Sequence, residues 1–341
     1  MSLDPDRRSQ LLATKLRVLV SERWELATDA RAGVFPAGAT LVDPAAGRCW
    51  VLVEEGAERR LGGALAVALR TGVSEVHLVV DDPGAGPVLA RRAALFRAPP
   101  TIWRSEGRAL FEVAPAPPAS DPAPAPEAEL YRPVIRAAGL DPVVEGGHLT
   151  GELLGLEVAR VVVGEDGVAR VEAGVGRFDR EVGALMFADM GETDSLARAV
   201  DLVGRYRLAR AERHPLNHLV PERWLRRAVV DTPSLVGATE LRAVGSSLPR
   251  QNLTEEGVAT AVGVDAAGHD VVVVCSTGVY LDLVPSAADD RLTHRPGARL
   301  VLALPERDAV PITADLAALL TVPAEVVTIA GDWRLLTEPP A

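Results

Sequence analysis

Two stretches of the chain, one toward each end, alternate apolar runs with alanine-rich runs in the order strand, helix, strand, helix, strand. In the first, CWVLVEE (49–55), EVHLVVDD (75–82) and TIWRSEGRALFEV (101–113) read as strands, the last as a closing pair, while LGGALAVALR (61–70) and VLARRAALF (88–96) read as helices. In the second, DVVVVCS (270–276), RLVLALPERD (299–308) and AEVVTIAGDWRLL (324–336) are strands separated by helical LVPSAADDRL (283–292) and ITADLAALL (312–320). Strands that alternate with helices imply a parallel sheet layered with its crossover helices. The expected fold class is therefore α/β, with two similar βαβαβ modules.

The two stretches also match in register. Without a gap, Ala90, Ala93, Ala94, Leu95, Pro99 and Gly107 coincide with Ala314, Ala317, Ala318, Leu319, Pro323 and Gly331. Upstream, DPAAGRCWVLVEEG resembles DAAGHDVVVVCSTG once single-residue shifts are allowed. Internal duplication of residues 45–113 as 263–336 is the expectation, with shared alanine-rich composition as the plainer explanation. Duplicated modules would make the crevice between them the place to expect a ligand or partner.

APAPPASDPAPAPEAE (114–129) fixes φ at its prolines and removes backbone donors, so it reads as an extended, semi-rigid linker. The chain then divides into 1–113, an N-terminal helix plus the first module; 114–129, the linker; 130–254, a mixed α+β middle domain; and 255–341, the second module. In residues 5–20, Leu12, Leu16, Leu19 and Val20 recur at helical spacing. In the middle domain, LEVARVVV and VARVEAGVG form a hairpin turning at Asp166-Gly167, and TDSLARAVDLVGRYRLA forms a helix capped by Thr193 and Asp194.

Composition narrows the functional classes. A chain of 341 residues with 48% hydrophobic content has enough material for more than one core. No run of eighteen uncharged apolar residues occurs, and the acidic, arginine-containing start lacks the pattern of a secretory signal, so no membrane span is expected and the cytoplasm is the default compartment. A net charge of −11 weighs against nucleic acid as a partner. Two cysteines, Cys49 and Cys275, neither staple the fold nor supply zinc spacing. Lys15 is the only lysine, which removes Schiff-base chemistry from everything beyond the first helix.

Several groups remain as candidates for chemistry. Glu157 and Glu172 straddle the hairpin with Asp179 just beyond, in VEAGVGRFDRE (171–181), and carboxylates converging on one face would suit a hard divalent ion. The ordinary alternative is a solvated sheet face whose Arg177, Asp179, Arg180 and Glu181 form rim ion pairs. The arrangement resembles the restriction-endonuclease-like superfamily, which carries an acid on one strand and an acid-x-lysine on the next. The resemblance implies a Mg²⁺- or Mn²⁺-dependent phosphodiesterase using Glu157, Glu172 and Asp179. The chain departs from that pattern where Ala173 and Gly174 follow Glu172 without a lysine, so transition-state charge would fall to the metal and Arg177.

Elsewhere, Cys275, Ser276 and Thr277 end a strand, as Glu54 does in the first module, and ligands of open α/β sheets bind at such ends. A phosphatase-like loop would need arginine six residues after Cys275, where Leu281 stands. His214 and His218 are separated by Pro215 and read as a loop, Trp224 as a core anchor, and Arg223, Arg226 and Arg227 as an anion site or, more simply, partners of acids. Ser246 and Ser247 have no histidine nearby in sequence. No phosphate fingerprint occurs, and Gly62, Gly63, Gly174 and Gly176 do not form one. The expected function is a binding or scaffold protein that uses a protein partner or self-association and needs no cofactor. A phosphodiesterase and a small-molecule or nucleotide sensor, with Glu54, Arg177, Cys275, Ser276 and Thr277 at the ligand, stand as alternatives.

Overall fold

The computed structural model describes residues 4–176, 191–210, 214–248, 250 and 252–337, and it mixes helices with three sheets of parallel and antiparallel strands, an α/β fold. The chain forms two compact units that are not contiguous in sequence. One comprises 1–118, 281–289 and 310–324, and the other 119–280, 290–309 and 325–341. Segments expected to belong to the second module are thus shared between the units, because α/β crossover helices pack by their faces and not by chain order.

In the first unit, α1 (Pro5–Ser21) precedes β1 (Arg31–Phe35), β2 (Gly38–Asp43) and β3 (Arg48–Val53). Then follow α2 (Leu61–Thr71), β4 (Glu75–Val80), α3 (Ala85–Ala93), β5 (Thr101–Glu106) and β6 (Ala109–Glu112). The sheet runs β1-β2-β3-β4-β5-β6, with β3, β4 and β5 parallel and the outer pairs antiparallel. The apolar stripe of α1 does what its spacing predicts. Leu12, Leu16, Leu19 and Val20 are buried with Ala39, Leu41, Trp50, Leu52, Val79 and Trp103, each large side chain worth about 1.5–3 kcal/mol of transfer free energy.

At the end of that core Trp24 lies 5.0 to 5.5 Å from the rings of Trp50, His77 and Trp103. The Trp103 indole N–H donates to His77 Nδ1 at 3.2 Å, which leaves the ring proton on Nε2, 3.1 Å from a Glu75 carboxylate oxygen. Burial pushes the imidazole below its ordinary 6.5, against the pull of Glu75. A lowered folded-state value means the native protein binds fewer protons than the unfolded chain. Stability from this group is present above pH 6.5 and lost as pH falls through the lowered value. Urea midpoints of the wild type are expected to drop from about pH 7 to about pH 5 more steeply than those of His77→Gln, which keeps an acceptor for Trp103. Equal slopes would remove His77 as the cause.

Two features tie residues 281–289 into this unit. Gly62, in the first turn of α2, faces the backbone of Leu281 so closely that a Cβ would stand 2.0 Å from the Leu281 carbonyl oxygen. Its N–H donates to Asp282 at 3.1 Å, and burial raises that carboxyl to about 6 although the helix amides favour its charged form. Asp289 receives Arg91 through Nε and Nη2 at 2.8 Å each and Arg92 through Nε at 3.0 Å, all three side chains being buried. From 310–324, Leu320 pairs with Phe96 in an antiparallel bridge.

The second unit holds two sheets. β7 (Asp141–Glu145), β8 (His148–Leu153), β9 (Leu156–Val163) and β10 (Ala169–Ala173) form an antiparallel meander, so the expected hairpin is its outer half. Short helices α4 (Pro126–Glu129) and α5 (Arg132–Ala137) come before it, and α6 (Glu192–Gly204) follows. The proline-rich tract therefore ends in a helical turn, since Pro126 at the first position needs no N–H partner. α6 starts at Glu192, which puts Thr193 and Asp194 inside the first turn instead of at the cap.

β11 (Glu240–Val244), β12 (Ala259–Val264), β13 (Asp270–Cys275), β14 (Arg299–Pro305) and β15 (Glu325–Ile329) make the last sheet, with α7 (Pro221–Asp231) before it. Helices α8 (Leu283–His294) and α9 (Pro311–Ala318) are its crossovers. β11-β12-β13 are antiparallel and β13-β14-β15 parallel, the same order and pairing sense as β1 to β5. Each set is led by a helix, α1 or α7.

Two faces of α7 do different things. Trp224, Leu225 and Val229 enter a core with Ala259, Ala261, Val271, Val273, Val301 and Trp333 of the last sheet and its C-terminal extension. The arginines meet the polar face of the meander: Arg223 binds Glu145 at 2.6 Å and Glu152 at 3.3 Å, Arg226 binds Glu152 at 2.5 Å, and Arg227 pairs with Asp141. Gly155, at φ +77, lets the β8–β9 turn lie on the α7 backbone, where a Cβ would come within 2.3 Å of the Arg223 carbonyl carbon. The opposite face of the meander packs Leu149, Leu156, Ala159, Val161 and Val171 against Ile135, Leu196 and Val203.

Candidate functional site

The hairpin carboxylates stand on the polar face of the meander. Glu172 is opposite Arg160 in the β9–β10 register, and Glu157 is opposite Glu152 where a bulge shifts β8 against β9. Arg160 closes both hydrogen bonds of a bidentate pair with Glu157, Nε and Nη2 at 2.9 Å each. A guanidinium thus occupies the place a cation would take beside Glu157. Among the described residues no three or more His, Cys, Asp or Glu side chains are grouped to hold a metal ion. Asp179 and Arg177 lie outside the described residues. A Mg²⁺ or Mn²⁺ ion at Glu157 would have to displace Arg160.

Near the end of β13, Cys275 is fully buried and burial pushes its thiol up to about 12, the opposite of the activation that a nucleophile needs. Ser276 is buried as well, and its N–H donates to the Ala303 carbonyl at 3.2 Å. Thr277 is half-buried, and the following Gly278 N–H donates to Asp308 at 2.8 Å. The loop after Cys275 is held by backbone donors, not by reactive side chains.

Glu54 has the richest surroundings of the sequence candidates. It stands one residue past β3, as Asp81 stands one residue past β4, and the ammonium of Lys15 on α1 bridges them at 3.0 and 2.5 Å. Arg8 adds a second cation 3.6 Å from Glu54, and Ser105 donates to Asp81. Partial burial works against the charge of Lys15, but its hydrogen bonds to Asp81 and Glu54 outweigh that and hold its pKa above the usual lysine value. The single lysine is a fixed ammonium with no lone pair to offer, so the arrangement pins α1 to the carboxyl ends of the strands and does not form a Schiff base. Beside it, Pro83, Pro87, Arg104, Phe111 and Val113 line a crevice of about 280 Å³. Sequence reasoning missed Lys15 and Asp81 as partners of Glu54. The available signal was that both acids immediately follow apolar strands.

The remaining candidates are structural. Arg223, Arg226 and Arg227 pair with acids, the simpler of the two expectations. Burial raises the Glu145 carboxyl, but Arg223 and Arg226 overcome this and hold it below the usual range. His214 caps a 3-10 turn by accepting the Leu216 N–H at 3.3 Å. Ser246 Oγ and Ser247 N–H donate to buried Asp290 at 3.2 and 2.6 Å, and Thr260 donates to it too. His294 reaches the carbonyl of neighbouring Gly245 at 2.7 Å and not a serine hydroxyl.

No family model, no curated protein and no solved structure matches the chain. Among the described residues no helix is long and apolar enough to cross a membrane.

Proposed function

We propose that the chain is a non-catalytic binding protein built from two copies of one α/β unit, and that it self-associates through the free edge of its first sheet. The observation that carries this reading is β1. Among the described residues it pairs only with β2 in the sheet, and Arg31, Ala32, Gly33 and Val34 are exposed, Val34 at 77%. A bare strand edge is a template for strand addition unless lysine, proline or a bulge guards it, and β1 carries only Arg31 as a charge. A binding role in place of catalysis is supported by the engagement of Glu157 with Arg160 and of Glu54 with Lys15, and by the buried thiol of Cys275. Two copies of one unit are supported by the common strand order, and by Phe96 and Leu320, which match in the gapless alignment and pair with each other.

Sedimentation velocity over a concentration series is expected to reveal a dimer that Val34→Lys weakens about tenfold, a loss of about 1.4 kcal/mol. A monomer at all concentrations would remove the self-association reading. Nuclease activity that requires Mn²⁺ and disappears in Glu172→Gln would replace it with the phosphodiesterase.

A further inference from the structure

A crevice of about 350 Å³ opens where β14 and β15 end, lined by Pro305, Glu306, Arg307, Gly331, Asp332, Trp333 and Arg334. Both strands are parallel and both point their carboxyl ends at it, the end of an α/β sheet where ligands are received. We propose that this crevice binds a small molecule through a single oxyanion, a carboxylate or a phosphate, held by Arg334 and Arg307.

Arg334 is the central observation. Its guanidinium lies over the Trp333 ring at 4.6 Å and near the Trp224 ring at 5.7 Å, so it is fixed in place by aromatic faces. Among the described residues no carboxylate or carbonyl accepts a hydrogen bond from that guanidinium. The arginines packed nearest differ: Arg223, Arg226 and Arg227 bind carboxylates, and buried Arg207 is taken up by the carbonyls of Leu154, Leu216 and Leu219. Burial lowers the pKa of Arg334; Asp332 and Asp308 pull it up and Arg307 pulls it down, and the lowering prevails.

Asp332 and Asp308 act on Arg334 by charge at a distance, but neither accepts a hydrogen bond from its guanidinium. Asp332 uses Oδ1 to accept the backbone N–H of Arg334 itself at 3.2 Å, and Asp308 uses Oδ2 to accept Gly278 N–H. Arg307 meets Asp308 only at 3.7 Å and its side chain is 70% exposed, free to swing over a ligand. Gly331, at φ +71, has no described residue within 4 Å of where a Cβ would lie, so the floor is open among the described residues. Glu306, Arg307, Asp308, Asp332 and Arg334 sum to a charge of −1. The crevice therefore suits one oxyanion and not a polyphosphate, whose extra charges would meet Glu306 and Asp332.

This proposal concerns a small molecule on the second unit and is independent of the edge strand in the first. Inorganic phosphate and acetate, each titrated at constant ionic strength, are the probes. The Trp333 indole and Arg334 Nε–H signals are expected to shift saturably with at least one of them, at a Kd on the order of millimolar. Arg334→Met, which keeps apolar cover over the two tryptophans, should abolish the shift, and Arg307→Ala should weaken it about tenfold. Retention of the native far-ultraviolet dichroism would show that Arg334→Met is folded. The probe with the lower midpoint identifies carboxylate or phosphate as the source. No saturable shift with either probe, or the same shift in Arg334→Met, overturns the site, whatever sedimentation says of self-association.

Discussion

Replacing Asp289 by alanine is expected to lower stability by about 3–5 kcal/mol, because it strands two guanidinium groups inside the first unit. Arg91 and Arg92 share that one carboxylate, and Arg92 and Asp289 are completely buried. Burial raises the Asp289 carboxyl, but the hydrogen bonds from Arg91 and the charge of Arg92 more than reverse this, so it stays ionised. The carbonyls of Pro117 and Glu58 hold one nitrogen of Arg91 and of Arg92, so the guanidinium groups keep acceptors but lose the one carboxylate that hydrogen-bonds to them both. Asp289→Asn, with one acceptor oxygen left, should fall between wild type and alanine. Adding Arg92→Met to Asp289→Ala should recover part of the loss, since it removes a buried unpaired charge. The check is urea unfolding with an unchanged slope; a loss under about 1 kcal/mol would mean water reaches the cluster.

Glu152→Ala should cost a similar amount in the second unit. Glu152 is buried and takes Arg226 at 2.5 Å and Arg223 at 3.3 Å, so its removal leaves Arg226 hydrogen-bonded to the Val244 carbonyl with only the more distant charge of Glu145, and Arg223 bound to Glu145. We expect a drop of about 3 kcal/mol or more, little changed between low and high salt because the pair is shielded from mobile ions. Salt that erased the difference would show the pair to be solvent-exposed. Acid attacks the same cluster with a definite sign. Glu145 has a lowered folded-state pKa, so its contribution is complete above its unfolded value of 4.5 and is lost as pH falls through the lowered one.

The parallel parts of both sheets were legible in the sequence, because Val76 to Val80 is a largely apolar run between two helices and Val271 to Cys275 an apolar run that a helix follows. The leading antiparallel strands were not. β1 and β2, RAGVF and GATLVD, are diluted by glycine and alanine and take their strand geometry from pairing, not propensity. β7 and β8 were hidden by Gly146, Gly147 and Gly151, which break the alternation that marks a strand. The site was less legible than the fold. Arg160 lies three residues from Glu157, but its opposition to Glu172 depends on register, and the bulge in the meander is set by tertiary packing. Lys15, Glu54 and Asp81 meet only after α1 is laid across the strand ends. The aromatic support of Arg334 requires Trp224, 110 residues earlier, to sit beneath it.

The two-faced helix α7 gives the second unit an internal fault line. Its grip on the last sheet is apolar and indifferent to protons, whereas its grip on the meander passes through Glu145, Glu152 and Asp141. Protonation of Glu145, whose folded-state pKa is lowered, therefore weakens the meander side of the helix and spares the other. At acid pH the unit is expected to open first between α7 and the meander, with α7 staying on the last sheet that buries Trp224, Leu225 and Val229.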